Sequence, residues 1–467
     1  MSNPFFEHRL NINRRHFLSK MSVGLGSVAL GSLMIKDLFN DPANAADSII
    51  NGLPHFAPRA KRVIYLFQNG APSQLPDSIR NGQRLTGMTA NQDKFPLVGS
   101  YFPFKQYGNA GTWISDLFPN IAKIADDICV IKSMHTEAIN HDPALTFMQT
   151  GAQQGNRPSM GAWLSYGLGS ENQNLPAFCV LLSKGKGNGQ GVYSKLWTNG
   201  FLDSKHQGVQ FSNSEERVLY LNDQDGVSRD DRRKMLDNLN ELNAMNFEDT
   251  GDPEIKTKIE QYELAYRMQT AVPEITDITK EPDSVVKLYG PDCLGPGSYA
   301  SNCLLARKLS ESGVRFVQIY HQGWDQHSNL VGEMPSQAMD VDRASAALVQ
   351  DLKQRGLLDE TLVIWGGEFG RTNYCQGPLS SDTYGRDHHP RAYSIWMAGG
   401  GVKPGMVYGE TDEFGYNIIE NPMHINDFHA TVLNLLGLDH EKLIYKHLGR
   451  RYKLTDVAGH VVKDILV

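Results

Sequence analysis

No CxxC pair, no basic block beyond the N-terminal region and no apolar run of membrane-spanning length occurs in these 467 residues. Each absence removes a class of function. Five cysteines (Cys129, Cys179, Cys293, Cys303, Cys375) are an odd and scattered set, which argues against a disulfide framework and against a thiolate zinc site. A formal charge of −7 without a basic stripe gives no footprint for nucleic acid. What is present is a chain with 40% hydrophobic and 21% charged residues. That composition supports a sizeable core and excludes wholesale disorder, and the length suits one large α/β core with insertions.

The N-terminus carries Asn13-Arg14-Arg15-His16-Phe17-Leu18, then Lys20 and a weakly apolar, glycine-containing stretch from Met21 to Met34. This resembles a twin-arginine export signal, with Ala43-Asn44-Ala45 as a small-residue cleavage site. The stretch falls short of the roughly 20 residues of a spanning helix. The expectation is therefore a signal peptide over 1–46, a single domain over 47–467, a periplasmic or extracellular location, and no stable membrane span after processing. The twin-arginine route carries proteins folded before export, which favours a metalloprotein.

Short apolar runs then alternate with helical patterns. Val63 to Phe67, Ile128 to Ile131, Phe178 to Leu182, Val314 to Tyr320, Leu362 to Trp365 and Ser394 to Met397 read as strands covered on both faces, hence a mainly parallel sheet. Val341, Ser345, Leu348 and Leu352, followed by Gly356, mark a helix and its stop. The fold expected is α/β, doubly wound, with helices on both faces. A loop and helical insertion is expected over about 184–295, with Met235, Leu239 and Leu242 as the packing stripe of one helix. Ile255, Ile259, Tyr262 and Tyr266 form the stripe of the next, which Asp252-Pro253 introduces.

Parallel sheets bind ligands at the carboxyl ends of their strands, and three chemistry-bearing clusters follow predicted strands or precede the next. They are Gly323-Trp324-Asp325-Gln326-His327, Gly367-Glu368-Phe369-Gly370-Arg371 and Gly385-Arg386-Asp387-His388-His389. Imidazole nitrogen and carboxylate oxygen from these segments suit a divalent metal, whether zinc, magnesium, manganese or calcium. Arg371 has the fork geometry to clamp a phosphate or sulfate. An earlier cluster, His135 to Pro143, places His141 at a strand-to-helix junction. There Asp142 is a cap or a supporting group, and His135 with Glu137 is either a supporting pair or a pair of hydrogen-bonded loop residues. Trp197 and Phe201 either stack a sugar ring or pin their loop to the core.

These motifs, with Asn140-His141-Asp142-Pro143-Ala144, Arg157-Pro158-Ser159-Met160-Gly161 and Asp427-Phe428-His429-Ala430-Thr431, resemble the domain of unknown function 1501 family, within the alkaline-phosphatase and sulfatase superfamily. The resemblance covers nearly the whole chain. It implies one or two metals at the strand ends and a nucleophile heading the first helix. Asp325, His327 and one of His388 or His389 match the late ligand positions; Glu368 stands as a further metal ligand where the superfamily carries Asp-His, and Phe369 leaves one imidazole ligand of that pattern missing. His141 falls at the nucleophile position, as nucleophile or ligand, unless water attacks. Asn69 stands near the first-strand carboxylate position, and Ser159 reads as a helix cap rather than a substitute nucleophile.

Two functions follow as expectations. One is an exported metal-dependent hydrolase of phosphate or sulfate esters, with an anionic small molecule or a polysaccharide ester as substrate. The other is an exported binding or structural protein that keeps the fold without turnover.

Overall fold

The computed structural model describes residues 53–73, 96–187, 189–213, 217–218, 221–223, 226–376 and 383–467. The expected signal peptide over 1–46 lies outside the described residues.

The apolar runs form the strands. β1 (Arg62–Asn69), β2 (Ile128–His135), β3 (Phe178–Lys184), β4 (Val209–Phe211), β5 (Phe316–Gln322), β6 (Thr361–Gly366), β7 (Tyr393–Ala398), β8 (Met406–Tyr408) and β9 (Met423–His424) build one sheet. Its order is β8-β2-β7-β6-β1-β5-β3-β4, with β9 also on β2. Every pairing is parallel except those of β7, which runs antiparallel to β2 and β6. This is a mixed, mostly parallel sheet.

Alternation along β1 shows why both faces are covered. Val63, Tyr65 and Phe67 enter one core cluster, Ile64 and Leu66 the other. Helices α1 (His141–Thr150), α2 (Met160–Leu168) and α8 (Ile425–Leu435) cover the first face through Leu145, Met148, Trp163 and Phe428. The second face is covered by α4 (Pro253–Thr276), α5 (Asp283–Tyr289), α6 (Tyr299–Glu311) and α7 (Leu330–Gln354), through Met268, Leu304 and Leu348. Gly356 adopts the left-handed conformation just past α7, and Ser159 caps α2 by accepting from the Ala162 N–H.

The segment expected to be an insertion is mixed in character. Its β4 extends the sheet edge, while α3 (Arg229–Thr250) lies against α4 and buries only Leu236. Met235 and Leu242, read from the sequence as packing residues, are 41% and 51% exposed. α3 meets α4 through Arg233 and Asn240, which both bond Glu263, and Leu236, between them on the helix, is the buried residue. Ile255 and Tyr262 of α4 are buried as expected.

β6, β1 and β5 are adjacent and in register, with Phe67 opposite Gly366 and Asn69 opposite Gln322. Their ends therefore converge. Gly70, immediately after β1, has φ +114°, and a methyl there would stand 2.7 Å from the Asp325 nitrogen. Gly70→Ala should cost about 2–4 kcal/mol in urea unfolding, from backbone strain plus a clash against main chain. Gly155→Ala, where a methyl meets nothing within 4 Å, should stay within about 0.5 kcal/mol. Equal stabilities for the two variants would refute the tight packing of the strand ends.

Candidate metal centre

Four side chains from three parts of the chain meet above these strand ends: His141, Asp325, His327 and His388. One ligand atom from each lies within 4.8 Å of every other. Asp325 and His327 follow β5, His141 opens α1, and His388 belongs to a two-residue bridge with Arg371. The Asp325 Oδ1 is 2.8 Å from His327 Nε2, 3.1 Å from His141 Nε2 and 3.6 Å from His388 Nε2. The Nε2 atoms of His327 and His388 are 3.0 Å apart.

The outer nitrogens explain how the rings are aimed. His141 Nδ1 meets Glu368 Oε1 at 2.6 Å, His327 Nδ1 meets Gln376 Oε1 at 2.5 Å, and His388 Nδ1 meets the Ile139 carbonyl at 2.7 Å. Each of those partners is an oxygen acceptor, so in the neutral imidazole each Nδ1 is the natural proton carrier and each Nε2 offers its lone pair inward. His141 Nε2 is buried and, despite its nearness to Asp325, has no aligned hydrogen-bond partner. Donors on a tetrahedral metal with bonds of 2.0–2.1 Å would stand about 3.3 Å apart. The residues present fit a divalent cation.

Electrostatics hold the arrangement. Burial opposes the charge on Asp325, but the closeness of His141, His327 and His388 and of the Arg371 guanidinium keeps its carboxyl well below the usual range. Burial alone would lower the His141 pKa, yet the nearby Asp325 carboxylate and the bond to Glu368 raise it to about 9. The Asp325 bond raises His327 as well, against burial. Glu368 is fully buried and also accepts from the Gly70 N–H at 3.1 Å. Phe369 packs on His141 and His388, with ring centroids 5.0 and 4.6 Å away. It supplies an apolar wall where the superfamily pattern would carry a histidine.

Other residues named from the sequence sit elsewhere. His389 points away from the cluster and bonds the Tyr416 carbonyl at 2.8 Å, and burial depresses its pKa to about 4. Neighbouring residues of an extended pair face opposite sides, so only one of His388 and His389 turns inward. Arg371 is 2% exposed and turns into the protein rather than toward a ligand. It donates to the carbonyls of Ala71, Gly70, Trp324 and Arg386 and, at 2.7 Å, to Asp325 Oδ1. Asp142 is exposed and pairs with Lys195 at 2.5 Å. His135 packs against His424, with ring centroids 5.1 Å apart and the planes inclined at 53°. Asn69 is buried and donates to the Gln190 carbonyl at 3.0 Å. Trp197 is buried, and Phe201 stacks on Tyr445 and His447, so both pin their loop to the body.

Sequence reasoning missed Gln376 and Gln190, which support His327 and Asp325 from outside. Glutamines in glycine- and polar-rich loops carry no pattern that announces such a role.

Because Arg371 ties three loops together while fully desolvated, Arg371→Ala should destabilise the protein by about 3–5 kcal/mol, leaving Asp325 buried without its partner. Chemical denaturation measures this. A variant of unchanged stability that had lost only affinity for phosphate or sulfate would mark Arg371 as an anion clamp instead.

Among solved structures, the chain aligns with Ps i-CgsB in complex with k-i-k-neocarrahexaose at 12% identity, over 81% of this chain and 72% of that one, with a TM-score of 0.36. It aligns with the PsFucS1 sulfatase from Pseudoalteromonas sp. at 15% identity, over 82% and 68%, with a TM-score of 0.33. It also aligns with a magnesium-bound mutant of TAB5 alkaline phosphatase at 12% identity, over 82% and 99%, with a TM-score of 0.33. No curated protein matches the chain. Residues 60–466 match the model of the protein family of unknown function DUF1501, and the chain belongs to that family.

Proposed function

We propose that this chain is a metal-dependent hydrolase of phosphate or sulfate esters that acts outside the cytoplasm. The observation that carries the metal is the set of three histidines whose Nδ1 atoms are taken by oxygen acceptors, leaving three Nε2 atoms and Asp325 Oδ1 to converge. A nitrogen-rich set favours zinc or another imidazole-preferring metal over magnesium or calcium. The ester class rests on the resemblance of the strand-end motifs to the alkaline-phosphatase and sulfatase superfamily. The export route rests on Arg14-Arg15 and the stretch that follows.

His141 stands at the head of α1, where the superfamily places its nucleophile, but both of its nitrogens face carboxylates. That makes it a ligand, and the attacking group is water. A bound divalent metal would supply Lewis-acid charge and an acidified water. The chain's own residues hold and orient: Glu368 fixes the His141 ring, Gln376 and the Ile139 carbonyl fix His327 and His388, and Phe369 keeps that side dry. An anionic ester of a small molecule or polysaccharide is the substrate class.

A second reading is an exported protein that binds metal without turnover. The inward-turned Arg371 favours it, because the guanidinium expected to clamp the ester is consumed by carbonyls and Asp325.

Elemental mass spectrometry of the folded protein should find close to one metal per chain, lost in Asp325→Ala and His327→Ala. p-Nitrophenyl phosphate or sulfate should be hydrolysed, with activity abolished by chelation and restored by zinc. Metal without hydrolysis of any ester would favour the second reading, and absence of metal would refute the hydrolase.

Proton competition gives a further expectation. With the His141 pKa near 9, zinc must displace a proton from Nε2 at neutral pH. The association constant should rise at least roughly tenfold per unit up to about pH 9, more steeply where His327 is protonated as well, and then level off. A flat profile between pH 6 and 9 would contradict His141 as a ligand.

A further inference from the structure

The loop leaving β3 reads Lys184-Gly185-Lys186-Gly187-Asn188-Gly189-Gln190-Gly191, a segment whose glycines allow it to lie flat on neighbouring backbone. The Gly185 N–H donates to the Gln322 carbonyl at 2.8 Å. A methyl on Gly187 would fall 2.3 Å from the Gly323 carbonyl oxygen, so the loop presses directly on the turn that presents Asp325.

Gln190 is held there by two strand ends at once. Its carbonyl accepts from Asn69 Nδ2 at the end of β1 and from Gln322 Nε2 at the end of β5. With its backbone clamped, its side-chain Nε2 donates to Asp325 Oδ2. Arg371 and the three histidines all approach the other oxygen, Oδ1. The carboxylate can rotate about its terminal torsion, which is broad and nearly two-fold. A donor on Oδ2 together with a guanidinium on Oδ1 fixes which oxygen faces the histidines.

We infer that Gln190 is a positioning residue for the metal centre, holding the Asp325 carboxylate in its ligating orientation from the glycine-rich loop. The inference rests on the metal reading of Asp325, His141, His327 and His388. Outer partners of metal ligands are worth about 10–100-fold in affinity.

The test is calorimetric titration of the full-length, chelator-stripped protein with zinc chloride, for wild type, Gln190→Ala and Gln190→Glu. The dissociation constant should weaken about 10–100-fold in Gln190→Ala, with the melting temperature of the metal-free protein shifted by less than about 2 °C, in keeping with a half-buried loop position. Gln190→Glu preserves size and shape but replaces the donor with an acceptor against Oδ2. It should weaken binding at least as much at pH 8. Full affinity in Gln190→Glu would mean that the residue only fills space and would overturn the inference. So would unchanged affinity in both variants, or a fall in metal-free stability with no change in affinity. If wild type takes up no zinc, the metal reading itself fails and the inference falls with it. That result is distinct from a wild type that binds and variants that bind equally well.

Discussion

The Asp325 carboxylate is buried and shared. Arg371 holds Oδ1 at 2.7 Å, three imidazoles face the same oxygen, and Gln190 takes Oδ2. A buried charge of this kind is tolerated only with excellent partners, and here the partners come from five segments of the chain. Arg371 brings the loop after β6, His141 the start of α1, His388 the stretch before β7, Gln190 the loop after β3, and His327 the turn of Asp325 itself. The end of the sheet is organised to satisfy one carboxylate.

That constraint explains features which otherwise look incidental. Gly70 has a positive φ and no side chain because Asp325 and Trp324 occupy the space. Gly385 is glycine because a methyl would stand 2.0 Å from the His327 carbonyl carbon, and this close approach brings His388 up to His327. Arg386, nearly fully buried, donates to the carbonyls of Thr372, Val98 and Gly99, which fixes the same stretch from below. Glu368 closes the ring by joining the Gly70 N–H to the His141 imidazole.

Much of this was legible in the sequence, and the reasons are physical. A strand buried on both faces must be apolar throughout, so β1, β2, β3, β5, β6 and β7 announce themselves. A parallel sheet puts ligand-binding groups just past strand ends, so the sequence points to Asp325, His327 and Glu368 as metal ligands; Asp325 and His327 do meet in the cluster, but Glu368 stands behind it, bonded to the His141 ring and the Gly70 N–H. What sequence could not resolve is direction. His388 and His389 are equivalent in composition, and only the extended backbone decides that one turns inward while the other bonds Tyr416. Arg371 looked like an anion clamp because its chemistry permits that role, but the carbonyls around it exist only in the folded state. In α3 the apolar residues at helical spacing did not reveal which of them faces α4, because a helix with so little buried surface satisfies its periodicity either way. Gln190 and Gln376 act through contacts more than 45 residues away in sequence, and nothing local marks them.

The chain belongs to the DUF1501 family, and its candidate centre is a nitrogen-rich set of donors, pre-aimed by outer oxygen acceptors, at the end of a mostly parallel sheet. The central claim is that His141, Asp325, His327 and His388 bind one metal together. X-ray absorption at the edge of zinc loaded into the protein addresses it directly. The account predicts a first shell of light atoms at about 2.0–2.1 Å with scattering from three imidazole rings, reduced to two in His388→Ala. A shell without imidazole scattering, or a spectrum unchanged by that substitution, would contradict it.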